Sequence, residues 1–286
     1  MTGKSGKNIM MLKNKVAIVT GCYRGFGKVI AELFVHEGAK VSVCDIVSVN
    51  TLKEAMNTSI QRKKNRVLWF QTDVSQENQV NDLVSRTYNQ HKRIDILVNN
   101  VGIAGPTQDC WNITLDEWNQ TLAVNLSSAF LCSKAVLPHM IRQHSGRIIN
   151  ISSITGKNPI AHRTPYATSK MGLIGFTRAL ATDVGQHNIT VNAICPGNPG
   201  GIRNQEVAHA LNTYHHKRFD PTQYHMELSK IRQEGILAGQ HRGHEGYVNT
   251  LITHNDVAAL ALFLASDASS SITGQDINVS GGAIMW

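Results

Sequence analysis

Seven short apolar runs, each followed by a longer amphipathic stretch, dominate this chain of 286 residues. The runs are Lys15–Thr20, Lys40–Cys44, Arg66–Gln71, Ile94–Asn99, Arg147–Ser152, Thr190–Cys195 and Asp276–Val279. They are rich in β-branched residues and nearly continuous in apolar character. A strand with one wet face would alternate polar and apolar side chains; these read as parallel strands buried on both faces. The intervening text has helical spacing. One helix is expected from about Gly25 to a stop at Gly38, and a long one from Arg163 to about His187. Thr114-Leu-Asp-Glu117 and Thr253-His-Asn-Asp256 read as capping boxes. Parallel strands need crossovers, so the expected fold class is α/β, with one doubly wound parallel sheet. Residues 1–12 are expected to be a flexible extension and 13–286 a single domain. From 198 to 250 there is polar helical text without a strand, and a structureless loop that long is unusual, so a helical insertion covering the substrate is expected.

Composition narrows the function classes. The net charge is +8, but Lys and Arg are spread along the chain and no basic run is longer than Arg62-Lys63-Lys64, which argues against nucleic acid as partner. No apolar run reaches the roughly 18 residues of a membrane span, and the N-terminus has no apolar core of the signal-peptide kind. The five cysteines (Cys22, Cys44, Cys110, Cys132, Cys195) are scattered without a C-x-x-C, as expected of reduced core residues in a cytoplasmic protein. The insertion holds six of the 13 histidines but no tight ligand set, so no metal is expected.

A glycine-rich run, Thr20-Gly21-Cys-Tyr-Arg24-Gly25-Phe26-Gly27, follows the first strand and opens the first helix. Gly21 permits a tight turn. Gly25 and Gly27 let backbone approach a phosphate, and the helix N-terminus offers N–H donors and positive dipole. Arg24 and Phe26 stand in the same turn. Asp45 ends the second strand, where a carboxylate accepts hydrogen bonds from an adenosine ribose and repels a 2′-phosphate. This favours NAD as cofactor; Arg24 pulls toward NADP but weighs less than the fixed carboxylate, and a surface cap before the next helix is the alternative for Asp45. Asp73 and Val74 follow the third strand, on the adenine side. Asn99-Asn100-Val101-Gly102 follows the fourth, under the ribose and nicotinamide. Each is equally good turn chemistry; what they share is a place at the C-terminal ends of successive strands, where such sheets bind ligands.

Tyr166 and Lys170 lie four apart on an expected helix, hence on one face. A phenol is a poor base at neutral pH, and a nearby ammonium favours its ionised form. Ser152 and Ser153 end the fifth strand, where a hydroxyl can hold a substrate oxygen. Asn125 sits in apolar helical text and needs partners if buried. A helix distortion holding a water that passes protons to Lys170 would supply them; a satisfied structural asparagine is the alternative.

With these runs in place the chain resembles the classical short-chain dehydrogenase/reductase family. The likeness runs from about Lys13 to the C-terminus and rests on Thr20 to Gly27, Asp73, Asn99 to Gly102, Asn125, Ser153, Tyr166, Lys170, Pro196-Gly197 and Asn278-Val-Ser-Gly281-Gly282. Ser153 precedes the tyrosine by 13 residues, the family's spacing. The resemblance implies a seven-stranded Rossmann fold, a Ser153–Tyr166–Lys170 site with Asn125 in a proton relay, and a homotetramer or homodimer. The sequence departs from the family after Pro196-Gly197: Gly201 stands where Thr or Ser often touches the nicotinamide, so Asn198 is expected to serve the carboxamide instead.

The expected activity is hydride transfer between NAD(H) and a secondary alcohol or its ketone. Tyr166 acts as acid or base, Ser153 orients the oxygen, and Lys170 supports the tyrosine. Arg203, Lys217, Arg218, Arg232 and Arg242 in the insertion suggest an anionic substrate, a polyol or sugar derivative bearing phosphate, sulfonate or carboxylate; nearby acidic residues nearly balance them, so a solvated lid is as good a reading. The rival activities are reduction of a 3-oxoacyl thioester and, from another class, non-catalytic dinucleotide sensing.

Overall fold

The computed structural model describes residues 10–62, 66–198 and 252–286. Beyond Asn198, the expected insertion and its basic residues and histidines lie outside the described residues.

The strands are β1 (Val16–Thr20), β2 (Lys40–Asp45), β3 (Val67–Gln71), β4 (Ile96–Asn99), β5 (Gly146–Ile151), β6 (Ile189–Pro196) and β7 (Asp276–Val279). They form one sheet in the order β3-β2-β1-β4-β5-β6-β7, every pairing parallel. Each expected strand is present with ends shifted by at most two residues. β1, β4 and β6 are buried at every position, as their unbroken apolar text requires.

The helices are α1 (Gly25–His36), α2 (Val49–Ala55), α3 (Thr58–Gln61), α4 (Glu77–His91), α5 (Leu115–Leu122), α6 (Ser128–Gln143), α7 (Ile154–Lys157), α8 (Thr164–Val184) and α9 (His254–Ala265). Side chains alternate across the sheet and sort into two cores. Ala17, Val19, Ile96, Val98, Ile149 and Ile194 face α1 and α9. Ile18, Leu97, Ile148 and Val191 face α4, α6 and α8. Helix ends follow the sequence. α1 closes with Gly38 at φ 93° while Gly38 N donates to Val35 O and Ala39 N to Phe34 O, a double bond pattern that satisfies the last carbonyls. Both capping boxes form, at Thr114–Glu117 and Thr253–Asp256.

One expectation needs correction. Leu12, assigned to a flexible extension, is fully buried; its N–H donates to Glu37 O at 3.0 Å, and the folded unit therefore begins before residue 13. The continuous helix Leu115–Gln143 is, by length and composition, long and apolar enough to cross a membrane. It does not lie apart from the fold: its inner stripe, Ala129, Cys132, Val136 and Met140, is packed into the core beside β4 and β5. Of the cysteines, all but Cys110 are buried, and all are free thiols.

Three histidines carry a pH consequence. Burial holds His254 below the ordinary 6.5. Burial first, then the Lys40 charge, does the same at His91, and burial then Arg142 at His139. A folded value below the unfolded one means the unfolded chain binds more protons, so stability is complete above about pH 6.5 and declines as pH falls toward the folded values. The thermal midpoint is expected to drop between about pH 7.5 and 5.5, and to drop less steeply in a His91→Gln/His139→Gln/His254→Gln variant. An equally steep fall in that variant would assign the acid sensitivity elsewhere.

Candidate active site

The strand order reverses between β1 and β4, because the chain leaves β3 at one edge and returns to the middle of the sheet. Such a switch opens a crevice at the C-terminal ends of the two strands. The glycine turn follows β1 and Asn99–Gly102 follows β4, so both expected runs meet there.

The turn is held from β4. Thr20 Oγ1 accepts from Asn100 N at 3.0 Å, and Asn100 Nδ2 donates to Thr20 O and Gly21 O, each at 2.9 Å. Gly21 and Gly25 have φ of 69° and 67°, a conformation side chains disfavour. A Cβ on Gly27 would meet Gly21 O and Asn100 Nδ2. Arg24 is the N-cap of α1, yet its side chain caps nothing there. The first N–H groups of α1 thus face the crevice without a side-chain acceptor from the cap, which suits a pyrophosphate. The residues present fit a dinucleotide.

The other residues expected at the cofactor divide by what they do in the fold. Asp45 accepts from Tyr23 N at 2.9 Å and Ile46 N at 2.8 Å, so it shapes the turn at the end of β2. Asp73 Oδ1 accepts from Ser75 N and Ser75 Oγ, which is turn chemistry. Val74 is buried in the core, and the Asn100 Nδ2 is used in holding the glycine turn. Gly102 is close-packed, since a Cβ there would lie 3.3 Å from both Asn125 Oδ1 and Lys170 Nζ. Pro196 ends β6, and Gly197 N donates to Val279 O at 2.8 Å, tying the nicotinamide-side loop to the edge strand. Asn198 is the last described residue on that side.

Of the residues expected to be catalytic, Tyr166 and Lys170 lie on the start of α8 and Ser153 at the end of β5. Lys170 lies one turn after Tyr166 on α8, with Nζ 5.9 Å from the ring centroid. It is 2% exposed and donates to Ile151 O at 2.9 Å, which fixes the ammonium under the end of β5. Ser152 donates to Lys170 O at 2.7 Å and is structural. Ser153 caps α7 by accepting from Thr155 N at 3.1 Å; that bond occupies its oxygen and leaves the O–H to donate.

Asn125 lies in a π-helical turn, Ala123–Ser127, between α5 and α6. The expected helix distortion is therefore present, and such turns often mark functional sites. The side chain is 1% exposed. It accepts from Ile103 N at 2.7 Å and donates to Ile103 O and Ser169 Oγ, both at 3.0 Å. Ser169 in turn donates to Tyr166 O at 2.7 Å. Protein groups thus satisfy this asparagine, and it ties the β4 loop to the catalytic helix.

Two further side chains flank the site. Arg163 places its guanidinium carbon 4.5 Å from the Tyr166 ring centroid. His254, at the start of α9, packs tilted against Phe26 with centroids 5.0 Å apart. Arg163 is the N-cap of α8, outside the helical turns that would place it on a face with Tyr166, so neither it nor His254 gives a local cue.

A crevice built to take a dinucleotide, beside a tyrosine with an ammonium fixed near its ring, defines a nicotinamide-dependent oxidoreductase. The chain belongs to the short-chain dehydrogenase/reductase family: the short chain dehydrogenase model matches residues 15–210, and a model described as enoyl-(acyl carrier protein) reductase matches 225–283. It is 36% identical over 274 residues to 3-oxoacyl-(acyl-carrier-protein) reductase FabG of Chlamydia trachomatis, covering 95% of this chain and 98% of that one. It is 34% identical to (2S)-((R)-hydroxy(phenyl)methyl)succinyl-CoA dehydrogenase subunit BbsD of Thauera aromatica, covering 97% and 99%. The crystal structure of levodione reductase superposes with a TM-score of 0.81 at 28% identity, over 95% of this chain and 98% of that one.

Proposed function

We propose that the protein is an NAD(H)-linked enzyme that interconverts a secondary alcohol and its ketone, with Tyr166 as acid and base. The single observation that carries this is Tyr166 beside the buried ammonium of Lys170, on the crevice that the glycine turn opens. When bound, the nicotinamide supplies or receives the hydride. Tyr166 supplies the matching proton: in reduction its O–H gives a proton to the substrate oxygen, and in oxidation the phenolate takes it back. Ser153 donates to the same oxygen and orients it. Lys170 stabilises the charge left on the ring. Asn125 keeps the β4 loop and α8 in register, and the π turn around it is where a water linking Lys170 to solvent would sit. We read the protein as a cytoplasmic homotetramer.

Asp45 supports NAD over NADP, since a carboxylate at the ribose repels a 2′-phosphate. The substrate is best read as a 3-oxoacyl or 3-hydroxyacyl thioester: the relatives named above act, by their names, on a 3-oxoacyl carrier and a hydroxyacyl-CoA. The phosphates of such carriers also meet the expectation of an anionic substrate. Phosphorylated polyols are the alternative.

The test is nicotinamide absorbance with each cofactor across 3-oxoacyl-CoA, phosphorylated or sulfonated polyols, and neutral ketones. The expected result is turnover of the thioester, with kcat/KM for NADH above that for NADPH by at least about tenfold, the ratio narrowing in Asp45→Asn. A preference for NADPH in the unmodified protein overturns the cofactor assignment. Best turnover on neutral ketones overturns the substrate assignment.

A further inference from the structure

We infer that Arg163 is a second cation for the catalytic tyrosine: a positioning residue that stabilises negative charge on the Tyr166 ring as its proton leaves. The inference rests on Tyr166 being the acid and base.

The guanidinium carbon lies 4.5 Å from the ring centroid, inside the range in which a cation is held on an aromatic face, and closer than Lys170 Nζ at 5.9 Å. Arg163 is 4% exposed, so water screens its charge weakly. Two features fix it in place. Its Nη2 donates to Ala104 O at 3.0 Å, on the loop that follows Gly102. Its own backbone starts α8, with Ala167 N donating to Arg163 O at 2.9 Å, so ring and guanidinium ride on the same helix end. The surrounding loops are clasped: Gln108 N donates to His162 O at 3.0 Å, and His162 Nδ1 lies 3.1 Å from Asp109 Oδ1.

A cation on a phenol face interacts weakly with the neutral ring and strongly with the anionic one. During reduction the Tyr166 O–H bond breaks, its proton goes to the substrate oxygen as hydride reaches the carbonyl carbon, and the electron pair stays on the ring oxygen. Arg163 binds that product of the proton transfer better than its precursor, which is the condition for accelerating a step rather than merely holding the ground state.

The test separates charge from tether. Arg163→Gln keeps a donor for Ala104 O and loses the charge; Arg163→Lys keeps the charge. The expected result is a fall in kcat for reduction of about 10–30-fold in Arg163→Gln, with substrate KM and NADH affinity by fluorescence titration little changed. The solvent deuterium isotope effect on kcat should rise, because proton transfer becomes more limiting. Arg163→Lys should recover most of the rate. Full activity in Arg163→Gln, or loss in Arg163→Lys with Arg163→Gln active, overturns the inference. So does an equal loss in both variants with weakened NADH binding, which marks packing alone. If Tyr166→Phe itself retains turnover, the underlying reading fails instead, and the two failures are distinguishable.

Discussion

Replacing Tyr166 by phenylalanine is expected to lower kcat by about a thousandfold, or ~4 kcal/mol in the barrier, while NADH binding stays within a few-fold of the original. The substitution removes one oxygen and nothing else. The ring remains, so its contacts with Arg163 and Lys170 persist, and the backbone carbonyl that accepts from Ser169 is untouched. What disappears is the proton. Without it the alkoxide that forms as hydride arrives must take a proton from water in a site arranged around a different donor. Lys170 is a poorer position to probe: it is buried with its ammonium on Ile151 O, and truncating it would strip a buried carbonyl of its partner and disturb β5 as well as the chemistry. Single-turnover rates with NADH, set beside fluorescence titration of the same variant, separate the chemical step from binding. A variant within about tenfold of the original rate would remove Tyr166 from the mechanism.

The sheet was legible because most of its strands are apolar enough on both faces for pattern alone to define them; β7, Asp-Ile-Asn-Val and half-buried throughout, is the exception. The glycine turn was legible because the stereochemistry of Gly21 and Gly25 leaves little else to put there. What was not legible shares a cause: a contact made by a residue far away in sequence. Leu12 reads as part of a polar tail until the C-terminus of α1 comes down on it. Asn100 and Val74 stand at the strand ends where such sheets bind ligands, and the fold gives their side chains a task that the sequence does not show: the Asn100 Nδ2 holds the glycine turn and Val74 packs in the core. Asn125 was identifiable as a polar residue out of place. The bonds that occupy it come from Ile103, 22 positions away, and Ser169, 44 positions away, and local periodicity carries no trace of either. Arg163 was hidden for another reason: an arginine at a helix start is ordinary, and only the fold shows that it lies against the ring.

Gly27→Ala is the second substitution with a large expected effect, and its target is the cofactor cradle rather than the chemistry. Gly27 has no positive φ, so helix geometry alone would accept alanine. The obstacle is space, because the added carbon would meet Gly21 O and Asn100 Nδ2. Neither can retreat cheaply. Gly21 is held in a left-handed turn with its N–H on Cys44 O at 2.9 Å, and its carbonyl accepts from that same Asn100 nitrogen at 2.9 Å. The strain must move α1 away from β4, at a cost of about 1–3 kcal/mol in stability. It also shifts the N–H groups that would face the pyrophosphate. Losing one charge-assisted bond of ~1.5–3 kcal/mol weakens NADH binding by about 10–150-fold. Gly25 makes the opposite control: among the described residues a Cβ there meets only His254 Nε2, at 4.0 Å, but φ is 67°. Gly25→Asn, which tolerates that conformation, should therefore bind NADH better than Gly27→Ala. Calorimetric titration of both variants, with thermal midpoints alongside, checks the order. Tight NADH binding by Gly27→Ala would mean that the cofactor does not use this turn.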